Sequence, residues 1–165
     1  MSVEQIVARV KELGGALVEL TGGEPLLQAE TPLLAAKLQA AAYTVLVETS
    51  GERPIETLPE GVVRIMDLKC PDSGACESNR YENIAHLRSY DEVKFVLASR
   101  RDYEWAREMT LTHQLHQRVK AVLFSAAIGL LEPARVVQWI LADKIQVRFQ
   151  LQAHKFIWPP DARGV

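Results

Sequence analysis

The chain has 165 residues, 48% hydrophobic and 24% charged, with a formal net charge of −2. That length fits one domain, residues 1–165, with a real core, and the charge balance excludes a phosphate-backbone binder, which carries a basic footprint. No apolar run reaches the roughly 20 residues that span a bilayer, and Met1 to Gln5 lack the basic and apolar regions of a secretory signal, so the expected location is cytoplasmic, with no nucleic acid and no membrane as partner.

Ser2, with Gln5 three residues later, reads as a capping box. Ile6, Val7, Val10 and Leu13 then recur at helical spacing, which predicts an amphipathic helix over 3–13, ended by Gly14-Gly15. The short apolar run 16–20 reads as a buried strand. It leads into Thr21-Gly22-Gly23-Glu24-Pro25. Two glycines at a strand's carboxyl end let the backbone approach a ligand closely, because neither carries a Cβ. Glu24 places an acceptor-only carboxylate there, suited to the N–H groups of an ammonium or to capping the next helix. Pro25 stiffens the exit. Thr31-Pro32 opens a second helix, alanine-rich through Ala42.

The alternation then repeats. Strands are predicted over 43–49, 62–68, 91–97, 121–124 and 145–151, with helices over 100–117 and from Pro133. Arg100, Arg101 and Arg107 alternate with Asp102, Glu104 and Glu108, as on an exposed helix with i,i+4 pairing. Strands alternating with helices imply a parallel sheet covered on its outer face, and right-handed crossovers curl it into an open or closed barrel. The turns after the strands hold the unusual residues: Gly22-Gly23-Glu24, Ser50-Gly51, Lys69-Cys70-Pro71 and Ser125. Carboxyl-end loops are where such sheets bind ligands, so these groups are expected on one rim.

Cys70 and Cys76 are too few for a disulfide framework and cannot hold a structural zinc without histidine help. They read as ordinary thiols. His86 and the pair His113 and His116 read as solvated side chains, and Trp105, Trp139 and Trp158 as packing residues.

The segments TGGEPLLQ (21–28), ETSG (48–51), DLKCP with SG close behind (67–74), EVKFVL (92–97), WILAD (139–143) and VRFQLQAHKFIW (147–158), in that order, resemble the 7-carboxy-7-deazaguanine synthases, a radical S-adenosylmethionine (SAM) family. The glycine turn alone marks the superfamily; QLQ-x-HK near the C-terminus is more specific. The resemblance implies an α/β fold, a partial radical SAM TIM-type barrel with parallel strands and outer helices. It implies a carbon–nitrogen lyase of queuosine and deazapurine biosynthesis, converting 6-carboxy-5,6,7,8-tetrahydropterin to 7-carboxy-7-deazaguanine with loss of ammonia. SAM, a 4Fe–4S cluster and Mg2+ are the implied cofactors. A homodimer and a reductant protein such as flavodoxin or ferredoxin are the implied partners. By resemblance, Gly22, Gly23 and Glu24 hold the methionine amino group of SAM. Glu48 and Ser50 meet its ribose or carboxylate, and Asp67, Leu68, Lys69, Ser125, Ala126 and Ala127 contact it from later strand ends. Thr21 faces the pterin, while His154, Lys155 and Pro160 close over it.

The sequence departs from the family in one respect. Its members bind the cluster through a CxxxCxxC loop after the first barrel strand, thiolates being the usual ligands of such clusters. Cys70 and Cys76 have another spacing and follow a later strand. The expectation is therefore a chain lacking the first strand and cluster loop, inactive alone, with an exposed sheet edge beside residues 16–20 that favours association. The alternatives are another radical SAM enzyme such as an activase, or a degenerate, non-catalytic protein that binds SAM or a pterin.

Overall fold

The computed structural model describes residues 1–159, without the side chains of His154 and Phe156. Helix α1 (Val3–Leu13) starts at the anticipated capping box: Gln5 N donates to Ser2 Oγ while Ser2 N donates to Gln5 Oε1. Strand β1 (Leu17–Leu20) follows, then α2 (Thr31–Ala40), β2 (Thr44–Thr49), β3 (Val63–Asp67) and β4 (Glu92–Leu97). Helices α3 (Arg100–Thr112) and α4 (Leu115–Arg118) lead to β5 (Ala121–Ala126). Helix α5 (Pro133–Asp143), β6 (Arg148–Phe149) and a short α6 (His154–Ile157) complete the described residues.

The strands form one six-stranded sheet in the order β1-β2-β3-β4-β5-β6, and every neighbouring pair is parallel. Period-two alternation gives this sheet two unlike faces. Val45, Val47, Met66, Val93, Phe95, Leu97, Val122 and Phe124 are buried and meet the helices. Phe95 packs edge-to-face on Phe124 and Trp105, with centroids 5.5 and 5.9 Å away, a geometry worth about 0.5–1.5 kcal/mol per pair beyond burial. The alternate residues, among them Leu46, Glu48, Ile65, Asp67, Glu92, Lys94, Leu123 and Ser125, line the inward face. A parallel sheet buried on both faces reads as near-continuous apolar sequence. The charges on this inward face therefore mark a surface kept open for polar contact.

Three sequence expectations are corrected. Strand β1 is not buried: it is the expected exposed edge, pairing among the described residues with β2 alone, and Leu17 is 61% exposed. The helix expected over 100–117 is two helices, because Gln114 takes a left-handed backbone (φ 51°) and restarts the chain. Nor is its first part merely solvated, since Asp102, Tyr103, Ala106 and Thr110 recur at helical spacing on a buried stripe. The sixth strand shrinks to Arg148–Phe149, because Val147 N is turned back onto Ile145 O and the ladder to β5 continues only through Gln150 N on Phe124 O.

Candidate functional site

The site is built at the carboxyl ends of the strands. Where β1 stops, Gly22 and Gly23 adopt φ of 95° and 59°, conformations that side chains disfavour. A Cβ at either would meet no protein atom within 4 Å, so the turn has open space beside it. Among the described residues and outside the strand ladder, no backbone–backbone hydrogen bond uses Thr21, Gly22 or Gly23. Their peptide groups remain available to a ligand.

Glu24 fixes this turn to the next strand. Its Oε1 accepts from Leu26 N at 2.9 Å and Thr49 Oγ1 at 2.8 Å; its Oε2 accepts from Ser50 N at 2.6 Å and from Ser50 Oγ. Burial acts to raise its pKa, but the bonds from Ser50, Leu26 and Thr49 outweigh burial and hold the carboxyl below the usual glutamate value. Capping and cross-linking thus occupy the carboxylate that the sequence offered to an ammonium. The unpaired carbonyls beside it are the better acceptors for such a group.

Two connected hollows result. The smaller, about 180 Å³, lies at the rim between Thr21, Gly22, Gly23, Glu48, Ser50, Asp67 and Lys69. The larger, about 640 Å³, runs down the inward face past Glu19, Thr21, Glu48, Asp67, Lys94 and Ser125 to Gln150–Ala153. The larger falls within the size range of small-molecule sites, and the smaller is a side recess below that range. Lys94 Nζ lies 2.6 Å from Glu48 Oε1, and Lys69 Nζ 2.8 Å from Asp67 Oδ2. Asp67 Oδ1, Ser125 Oγ and Gln152 Oε1 are buried without a hydrogen-bond partner. Each such group costs about 1–3 kcal/mol if nothing satisfies it, so their gathering in one cleft points to a ligand.

The strand ends therefore bring Thr21, Gly22, Gly23, Glu48, Ser50, Asp67, Lys69 and Ser125 together. Leu68 and Ala126 do not join them: both side chains pack into the core on the helix-covered face. Ala127 is held by its N–H on Leu97 O at 2.8 Å. Lys155 is exposed on α6. The His154 side chain and Pro160 lie outside the described residues, although Gln152 and Ala153 just before them do border the cleft. Sequence reasoning overlooked Glu19, Glu92, Lys94 and Gln152. The available signal was the alternation Glu92-Val93-Lys94-Phe95, whose polar members must face inward once Val93 and Phe95 are core.

Among the described residues no group of three or more His, Cys, Asp and Glu side chains could hold a metal ion. Cys70 is buried, and burial, then Asp102 and Asp67, push its thiol far above the ordinary range. That opposes the thiolate a metal requires. The two cysteines of this chain do not fit a 4Fe–4S cluster, whose irons need a larger thiolate set.

Two solved structures share the fold. Streptococcus suis SuiB bound to S-adenosylmethionine superposes with a TM-score of 0.64 at 15% identity, covering 90% of this chain and 40% of that one. SuiB alone gives 0.64 at 14% identity, covering 98% and 45%. The shared fold is a partial barrel of parallel strands with outer helices. No family model matches the chain. The 7-carboxy-7-deazaguanine synthase of Koribacter versatilis is 46% identical over 179 residues, spanning all of this chain and 79% of its own length. The synthase of Chlorobaculum tepidum is 39% identical over 168 residues, spanning all of this chain and 76% of its own. With that identity along its whole length, and with the glycine turn and strand ends shaping one cleft, the chain belongs to the 7-carboxy-7-deazaguanine synthase family.

Proposed function

We propose that this chain holds SAM at the rim and 6-carboxy-5,6,7,8-tetrahydropterin in the cleft beneath it, for conversion to 7-carboxy-7-deazaguanine with loss of ammonia. One observation carries the reading: consecutive strand ends deliver open glycine backbone, carboxylates and an ammonium side chain to one hollow. The unpaired carbonyls of Thr21 to Gly23 accept the methionine ammonium, and Lys69 faces the methionine carboxylate. Glu48, anchored by Lys94, accepts from hydroxyl groups. Bound SAM would supply hydrogen-abstracting chemistry once a one-electron reductant from outside these residues cleaves it to methionine and a carbon radical; the chain supplies position and shielding.

No step is assigned to an iron–sulfur cluster, because the cysteines present do not fit one. That observation favours a second reading, in which this polypeptide binds both molecules without turning them over by itself. Calorimetry on the 165-residue chain tests the reading common to both. Saturable binding of SAM and of the carboxypterin is expected, and absence of heat with both ligands overturns it. Product formed by the chain alone in an anaerobic assay with reductant would reject the second reading.

A further inference from the structure

The inward face carries an acidic side chain that the rim does not use. Glu19 lies two residues before Thr21 on β1, and side chains two apart on a strand share a face about 6.5–7 Å apart. The register pairs Glu19 with Leu46, one inward step below Glu48. Glu19 borders the large cleft but not the rim hollow between Gly22, Gly23, Ser50 and Lys69. It also borders a third hollow, of about 440 Å³, on the side of the glycine turn that faces Pro25 and Thr31.

Among the described residues no N–H donor or cation is bonded to Glu19, and the group that its carboxyl approaches is the carboxyl of Glu48. Glu48, its acidic neighbour, already has Oε1 on Lys94 Nζ. Glu19 is open to the cleft by surface exposure, yet desolvation, then the adjacent Glu48, raise its pKa. Exposure to a cleft is not exposure to bulk water, and the two descriptions agree on that basis. Like charges side by side are unfavourable unless a proton or an incoming donor relieves them.

The acidic pair does not stand alone. Ser125 is fully buried with its Oγ unpartnered, and Asp67 is 8% exposed with Oδ1 unpartnered. Both line the same cleft from other strands. Open hydrogen-bonding groups on β1, β3 and β5 suit a flat heterocycle that presents donors and acceptors around its edge. A carboxylate is matched bidentately by two parallel N–H groups. The 2-amino and ring N–H edge of a pterin has that shape; a lone ammonium does not.

We propose that Glu19 is a specificity-determining residue, accepting the paired N–H edge of the pterin in the large cleft. The assignment rests on the function proposed above. It gives the two ligands different partners: SAM is read in the rim hollow, the pterin ring at Glu19.

The test is calorimetry on the intact chain and its Glu19→Gln variant, with SAM and 6-carboxytetrahydropterin titrated separately. An amide keeps the shape and loses the charged bidentate acceptor. The expected result is pterin affinity weakened at least about tenfold, SAM affinity within about twofold, and a melting temperature no lower than that of the parent, since repulsion with Glu48 is relieved. Equal pterin affinity in both chains overturns the role of Glu19 while leaving the proposed function intact. A loss of SAM binding, or a variant that melts well below the parent, also overturns it by making Glu19 a rim or structural residue. A parent chain that binds neither ligand defeats the proposed function and this inference together.

Discussion

Asp91→Ala is expected to lower the unfolding free energy by about 3–5 kcal/mol, the usual cost of removing one partner from a buried ion pair. Asp91 is fully buried and Arg64 is 1% exposed, with Arg64 Nη2 2.7 Å from Asp91 Oδ2. The same carboxylate also accepts from Arg64 N at 2.9 Å and Arg88 N at 2.8 Å. It therefore ties the start of β3 to the turn that enters β4. Alanine leaves a guanidinium without its counter-charge in the core, and two backbone N–H groups without acceptors. Neither Arg64 Nε nor Nη2 makes a well-aligned hydrogen bond, so Asp91 holds the guanidinium by charge and proximity, and no spare partner replaces it. Replacing both residues by apolar ones of similar volume should recover much of the loss, as buried pairs often tolerate. Urea unfolding monitored by circular dichroism gives the number. A loss under about 1 kcal/mol would mean that the pair behaves like a surface salt bridge.

Glu24→Ala is expected to have a smaller effect on folding and a much larger one on the site. It deletes the acceptor for Leu26 N, Thr49 Oγ1 and both donors of Ser50. Hydrogen bonds to charged groups contribute about 1.5–3 kcal/mol each. This carboxylate is half-buried and solvent replaces part of the loss, so a net cost of about 2–3 kcal/mol is expected. The functional consequence comes from geometry. Without Glu24 the glycine turn is no longer locked to the end of β2, and the rim hollow that both segments line loses its shape. SAM affinity should fall by about two powers of ten, since each 1.4 kcal/mol is tenfold. A variant that folds and binds SAM as well as the parent would show that the turn is preformed without its clamp. The pH dependence follows from the same bonds. Because the folded-state pKa of Glu24 lies below its ordinary value, its stabilisation is full above that ordinary value and fades as pH falls through the depressed one.

The parts of the fold that follow from local chemistry were legible in the sequence. The capping box at Ser2, the proline starts of α2 and α5, and the strands at the glycine turn and at Glu92–Leu97 all rest on short-range rules. What escaped depends on neighbours distant in sequence. The run from Ala16 to Leu20 reads by itself as a buried strand; its place at the sheet edge is expected from the family resemblance, not from its own residues. Gln114 carries no sequence mark of a left-handed backbone, since glutamine seldom adopts one. At the site, backbone placement at Gly22, Gly23 and Ser50 was readable because turn chemistry is local. The bonding of Glu24 was only half readable: a cap within the turn is a sequence pattern, whereas the link to Thr49 and Ser50 needs β2 laid beside β1. The side chains of Leu68 and Ala126 turn into the core for a simpler reason. Consecutive residues on a strand face opposite ways, so a contiguous motif cannot deliver all of its side chains to one cleft.

The claim underlying the functional account is that adenosylmethionine is received by strand ends meeting at the glycine turn. Amide chemical shifts recorded while SAM is titrated into the 15N-labelled chain test it most directly. The account predicts that the largest changes fall on Gly22, Gly23, Ser50 and Lys69, which line the rim hollow. Changes centred instead on the separate hollow by Arg107, His116 and Asp143, with the rim amides unmoved, would contradict it.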